Sequence, residues 1–148
     1  MTVLRLEYWS LPVSVNDLYI VARGRKILSK EGRAWKTGFV GSMGGLSPQE
    51  FSQFQPYPDD MYSLDLWFYI SQERLFSAGY GIDKRVLSPF ANHDTSNLIK
   101  ITEDAISELT GLRDRNNFDV SSHKRVADVR GERVLAVLQR LTVMQEGP

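Results

Sequence analysis

Between residues 94 and 104 the chain sets an acid, an amide, an amine and a second acid at helical intervals: Asp94, Asn97, Lys100 and Asp104. Residues three or four apart share one face of a helix. Asn97, Lys100 and Asp104 therefore align beside an apolar stripe of Leu98, Ile101 and Ala105, with Asp94 just ahead of the first turn. A polar edge of acid, amide and amine makes a reasonable active-site wall. A capped, solvated surface helix uses the same residue types, so the stretch takes its meaning from the rest of the chain. His93 reads as a loop residue, because no second histidine lies nearby in sequence.

The bulk properties narrow the chemistry. The 148 residues fit one domain, residues 1–148, and 42% hydrophobic with 24% charged residues argues against disorder. Without cysteine there is no thiolate zinc site, and two histidines cannot make a three-histidine centre. The most apolar stretch, Leu64 to Ile70, is too short to cross a bilayer. No basic region followed by an apolar core opens the sequence, so a cytoplasmic protein with no membrane partner is expected.

Net charge is zero, but charge is segregated. Arg23, Arg25, Lys26, Lys30, Arg33 and Lys36 face a lone Glu31, whereas residues 41–73 carry acids and no Lys or Arg. Such segregation fits a nucleic-acid binder. It equally fits a solvated helix with its flanking loop.

The elements that must position these groups follow from periodicity and turn residues. Val3 to Trp9 alternates as a strand, and Ser14 to Asp17 reads as loop. Leu18 to Val21 and Lys26 to Leu28 read as a hairpin around Arg23-Gly24-Arg25. Ser29 is a helix N-cap, ahead of a stripe of Trp35, Phe39 and Met43, and Gly44-Gly45 ends that helix. Ser47 to Asp60 reads as a surface loop, and Met61 to Ile70 as the strongest strand. Residues 71–92 suggest a short helix near Glu73 to Phe76, then a loop through Gly79, Gly81 and Pro89. Thr95 to Leu109 is the clearest helix, stopped by Gly111. Phe118 to Val129 and Arg133 to Val143 read as a closing hairpin around Arg130-Gly131-Glu132, the second segment fitting a helical period as well. The order predicts a single α/β (α+β) domain, a mixed sheet with two main helices packed on it.

The order of motifs resembles the RusA family of Holliday-junction resolvases. The family opens a helix with Asp-x-Asp-Asn-x-x-Lys. Here Asp94, Asn97 and Lys100 match, Ser96 stands at the second Asp, and Asp104-Ala105-Ile106 is similar to the family's continuation. An Asp-Asp pair follows the helix in the family, and Asp114-Arg115 resembles it with one acid kept. Leu11-Pro12-Val13-Ser14-Val15-Asn16-Asp17-Leu18-Tyr19 resembles the Pro-Ser-x-Asn-x-x-Tyr loop, with one extra residue. Arg23 to Trp35 resembles the basic turn and the helix after it.

The resemblance implies a homodimer that binds four-way DNA junctions and cuts two strands symmetrically with Mg²⁺ or Mn²⁺, in DNA recombination and repair in a bacterial or phage setting. It implies Asp94 and Asp114 as metal ligands, Lys100 and Asn97 as further catalytic residues, and Arg23, Arg25, Lys26, Lys30 and Asn16 as DNA contacts. Ser96 removes one charged ligand, and Asp119 or Asp104 is a candidate replacement. Two other readings stay open: a resolvase-like fold that binds branched DNA without cutting it, motivated by Ser96, and a protein-interaction module, motivated by neutral charge and the acidic middle segment.

Overall fold

The computed structural model describes residues 3–11, 19–73 and 95–141, with side chains from residue 98 onward in the last segment. The elements are β1 (Val3–Tyr8), β2 (Tyr19–Ala22), β3 (Arg25–Leu28), α1 (Lys30–Gly41), α2 (Pro48–Ser52), β4 (Tyr62–Ile70), α3 (Thr95–Thr110), β5 (Asn117–Val126) and β6 (Arg133–Arg140). Single 3₁₀ turns stand at Met43–Gly45 and Asp114–Asn116. The expected mixed α+β class holds: a four-stranded mixed sheet, a separate two-stranded ribbon, and the helices α1 and α3 packed on one sheet face. No helix among the described residues is long and apolar enough to cross a membrane.

The sheet order is β1-β6-β4-β5. β4 runs antiparallel to β6 and parallel to β5, and β6 runs antiparallel to β1. Parallel neighbours need a crossover, and α3 lies on that connection. Alternation along β4 is strict: Tyr62, Leu64, Leu66, Phe68 and Ile70 are buried, and the residues between them are half-buried. These side chains meet Leu4 and Leu6 of β1 and Val134, Ala136 and Leu138 of β6. Trp35 and Phe39 of α1 and Leu98, Ile101, Ala105 and Ile106 of α3 close the same core. Each fully buried Leu, Ile or Phe contributes roughly 1.5–3 kcal/mol of transfer free energy, so this cluster carries the fold.

Three expectations need correction. The closing hairpin does not form, because β4 lies between β5 and β6. The intervening loop arches over the end of β4, where the Ala127 amide donates to the Ile70 carbonyl at 2.8 Å and the Ser71 amide to Glu132 Oε2 at 2.9 Å. A two-strand pairing would have left the most apolar strand at an edge; insertion pairs both of its sides. Second, the Ser47–Asp60 loop contains α2, capped reciprocally by Ser47 and Glu50. Third, α1 ends at Gly41, so Met43 belongs to the 3₁₀ turn with φ 54° and leaves the Trp35–Phe39 stripe.

Gly38 and Gly45 have steric reasons to be glycine. A Cβ on Gly38 would sit 2.5 Å from Tyr8 Oη, and on Gly45 it would meet the Glu7 carbonyl oxygen at 2.1 Å. These close approaches seat α1 and the turn after it directly on β1.

Candidate active site and nucleic-acid interface

α3 presents two faces. Leu98, Ile101 and Ala105 are buried, while Lys100, Glu103, Asp104 and Ser107 lie along a more open face. Its buried hydroxyls are satisfied within the helix: Thr102 Oγ1 donates to the Leu98 carbonyl and Thr110 Oγ1 to the Ile106 carbonyl, both at 2.7 Å. The polar face is thus held by a core that has no competing polar demand.

The β2–β3 ribbon docks on this face. Its two-residue turn has positive φ at both Arg23 (53°) and Gly24 (75°), as a type I′ hairpin turn requires. Tyr19, at the start of β2, donates a long 3.5 Å hydrogen bond to Asp104 Oδ2. The Tyr19 ring has Lys26 Nζ 5.2 Å and Lys100 Nζ 5.1 Å from its centroid, both within cation–π range. One tyrosine therefore joins the basic ribbon to the acid and the amine of α3. Arg23, Arg25, Lys26 and Lys30 are all exposed.

At the other end of α3, Gly111 (φ 79°) turns the chain into the Asp114–Asn116 3₁₀ turn. Ser107 Oγ donates to Asp114 Oδ1 at 3.3 Å. Asn116 is buried and fixes the turn. Its Oδ1 accepts from the Arg113 amide at 2.9 Å, and its Nδ2 donates to the Pro58 and Asp60 carbonyls at 2.7 and 2.8 Å. Asp114 thus stands on a turn bolted to the segment that enters β4.

The acids of this region sense one another. Burial, then the Asp114 charge, pushes the Asp104 carboxyl above its ordinary value, against the pull of Lys36 and Lys100. Burial likewise raises Glu103, opposed by a 3.3 Å hydrogen bond from Asn117 Nδ2 and reinforced by the charges of Asp114 and Asp104. Tyr19 is pushed up to about 12 by burial, by the Asp104 charge and by its bond to that carboxylate. Like charges held at a partly desolvated surface favour binding of a cation. Lys36 supplies part of the opposing positive charge, but its ammonium is committed to Glu108 Oε2 at 3.2 Å.

The site residues named from sequence are distributed as follows. Lys100, Asp104 and Asp114 come together around α3. Ser96 and Asn97 fall in its first turn. Asp94 and Asn16 lie outside the described residues. Asp119 pairs with Ser63, and the ladder continues with Ser121 bonded to Asp65 at 2.7 Å and His123 stacked on Trp67, all on the sheet face turned away from α3. A register shift between Tyr62 and Ser63 makes the difference: Asn117, ahead of it, reaches Glu103, and Asp119, beyond it, points the other way.

Tyr19, Glu103, Lys36 and Asn116 were not picked out as site residues from the sequence. Glu103 was accessible, being three residues from Lys100. Asn116 carried no local signal, since its partners stand nearly sixty residues away.

The donor set fits Mg²⁺ in kind: it is all oxygen, and Mg²⁺ keeps several waters and needs only one or two carboxylates. Among the described residues no three carboxylates or histidines converge to hold a metal ion, so a site here would rest on a pair or draw on Asp94. No protein-family model and no curated protein matches the chain.

Proposed function

We propose that the protein is a Mg²⁺-dependent endonuclease that binds branched DNA, such as a four-way junction, and cuts it symmetrically as a homodimer. The reading rests on the resemblance to the RusA family. The observation that carries it is the docking of the basic ribbon on the acidic face of α3 through Tyr19. That contact sets phosphate-binding cations beside carboxylates suited to a metal. Asp94 and Asp114 would hold the ion, with Asp104 a better-placed third acid than Asp119. Bound there, Mg²⁺ or Mn²⁺ supplies Lewis acidity toward the phosphate and lowers the pKa of a water.

The chain's own groups do the rest. Lys100 offsets charge on the phosphoryl oxygens. Asn97 orients a carboxylate or water. Arg23, Arg25, Lys26 and Lys30, with Asn16, hold the phosphodiester backbone in a salt-sensitive, largely sequence-independent contact. Two cuts related by a two-fold axis make a symmetric dimer the natural assembly.

A second reading, junction binding without cleavage, is favoured by Ser96, which leaves the site one negative charge short. A labelled four-way junction, incubated with and without Mg²⁺ beside Asp94→Asn protein, separates the two. Paired symmetric cuts that require metal and vanish in the variant are expected. A shifted but uncut junction transfers the conclusion to the binding protein, and cleavage gained on Ser96→Asp would secure it.

A further inference from the structure

The turn that carries Asp114 also carries two cations and leads into an exposed aromatic ring. Arg113 and Arg115 flank Asp114, both exposed, and neither has an ion pair among the described residues. Phe118 is 65% exposed although it lies in a strand. It occupies the extra position of the register shift, where Tyr62 pairs with Asn117 and Ser63 with Asp119. Such bulges re-aim a side chain out of the ladder. Phe118 and Arg115 line one surface depression of about 280 Å³ together with Met61 and Asn116, just under the usual range for ligand pockets. Asp59 and Asp60 also line it, and Arg140 engages Asp60. The cleft therefore suits a neutral flat group better than a phosphate, and the phosphates fall to Arg115 at its edge and to Arg113, which with Asp114 and Arg115 lines the adjoining depression.

We propose that Arg113, Arg115 and Phe118 form a second nucleic-acid contact that receives an unpaired nucleotide at the branch, the guanidiniums holding its flanking phosphates and the Phe118 ring stacking on its base. This inference rests on the reading of the protein as a branched-DNA binder. The physical case has three parts. Stacking on an exposed aromatic ring is the sequence-tolerant way to hold an unstacked base. A basic ribbon at Lys100 and a basic turn at Ser107 stand about 10 Å apart along α3, at 1.5 Å per residue. Asp114 lies between Arg113 and Arg115, so a strand gripped by both runs past the acid. Asn116 holds the turn rigid, which makes the contact a fixed one.

The experiment is a binding cycle in Mg²⁺-free buffer with a four-way junction, the same junction with each branch nucleotide made abasic in turn, and a linear duplex. Phe118→Ala is expected to weaken intact-junction binding about tenfold, from the roughly 1–3 kcal/mol that base–aromatic stacking contributes. Duplex binding is expected to stay unchanged. At one branch position the abasic junction should lose the same factor with unaltered protein, and little more with Phe118→Ala. Phe118→Tyr should restore binding. Arg113→Ala with Arg115→Ala should weaken binding to every DNA and lower the salt dependence. The inference is overturned if Phe118→Ala binds the junction as tightly as the unaltered protein, if its loss simply adds to that of every abasic site, or if sedimentation shows that it dissociates a dimer. Failure of the unaltered protein to bind any DNA would sink the parent reading as well, a result distinct from these three.

Discussion

Acids and cations meet at two places in this molecule, on opposite faces of the same sheet, with opposite electrostatic outcomes. On the face without described helices, Arg133 is 1% exposed. Its guanidinium lies 3.8 Å from the Tyr69 ring centroid and 4.9 Å from that of Trp9. It donates to Asp128 at 3.1 Å and to the Gly131 carbonyl at 3.0 Å. Hydrogen bonds from Arg130, and then from Arg133, hold the Asp128 carboxyl down at about 2. On the helical face Asp104 and Glu103 are pushed up by burial and by the charge of Asp114, and Glu103 by that of Asp104 as well. The first cluster is matched internally and closes the loop that arches over β4. The second is left with unbalanced negative charge, which is costly for the fold and useful to a cation. Perturbed acids cluster at functional sites, and the contrast with an acid held down by paired guanidiniums in the same chain is what gives the perturbation meaning here.

Breaking the matched cluster has the largest expected effect. Arg133→Ala removes the aromatic packing and the Arg133 hydrogen bonds to Asp128, which keeps only those from Arg130, so chemical denaturation should show a loss of about 3 kcal/mol. A loss below about 1 kcal/mol would mean that the cage is incidental. Below pH 4 the two clusters should diverge further. The depressed Asp128 contributes stability that is present above its unfolded pKa and disappears as pH falls through the folded value near 2.

Relieving the unmatched cluster is the next test. A carboxyl with a raised folded pKa contributes stability below its unfolded pKa and loses it as pH rises through the folded value. Asp104→Asn should therefore melt at a higher temperature than the unaltered protein at pH 7, with the difference vanishing on acidification toward pH 4. Its Mg²⁺-induced rise in melting temperature should shrink. At a hundredfold excess over Kd a bound ion stabilises by about 2.7 kcal/mol, ample to measure. Equal Mg²⁺ responses in the two proteins would remove Asp104 from the site.

The smallest effect separates stability from binding within the ribbon. Arg23 holds φ 53°, a left-handed conformation that costs a non-glycine residue roughly 1 kcal/mol. Arg23→Gly should stabilise the protein by about 0.5 kcal/mol or more, yet weaken DNA binding and reduce the salt slope by about one unit. Parallel changes in stability and affinity would show that Arg23 makes no phosphate contact.

Much of the architecture was legible beforehand. The period of α3 with Gly111 after it, the Ser29 cap, the Arg-Gly turn of the ribbon and the aromatic density of β4 are all local signals. They rest on hydrogen bonding and side-chain spacing within a few residues. The misread hairpin marks their limit. A turn at Arg130-Gly131 fits two adjacent strands, and nothing in those residues tells that β4 will insert between them. Pairing is decided by which strand has two apolar edges to satisfy, a property of the assembled sheet.

The same boundary divides the site. By itself the sequence determined the residue types, oxygen donors, an amine and a basic turn, and their helical spacing at Lys100 and Asp104. Only the tertiary structure decided which charges act on one another. Tyr19 reaches Asp104 across 85 residues of chain, Asn116 anchors the Asp114 turn to residues before β4, and one register shift turns Asp119 away while aiming Phe118 at solvent. Burial and Coulomb interaction act through space, so the acids acquired their shifted affinities only when the core brought ribbon, helix and turn together.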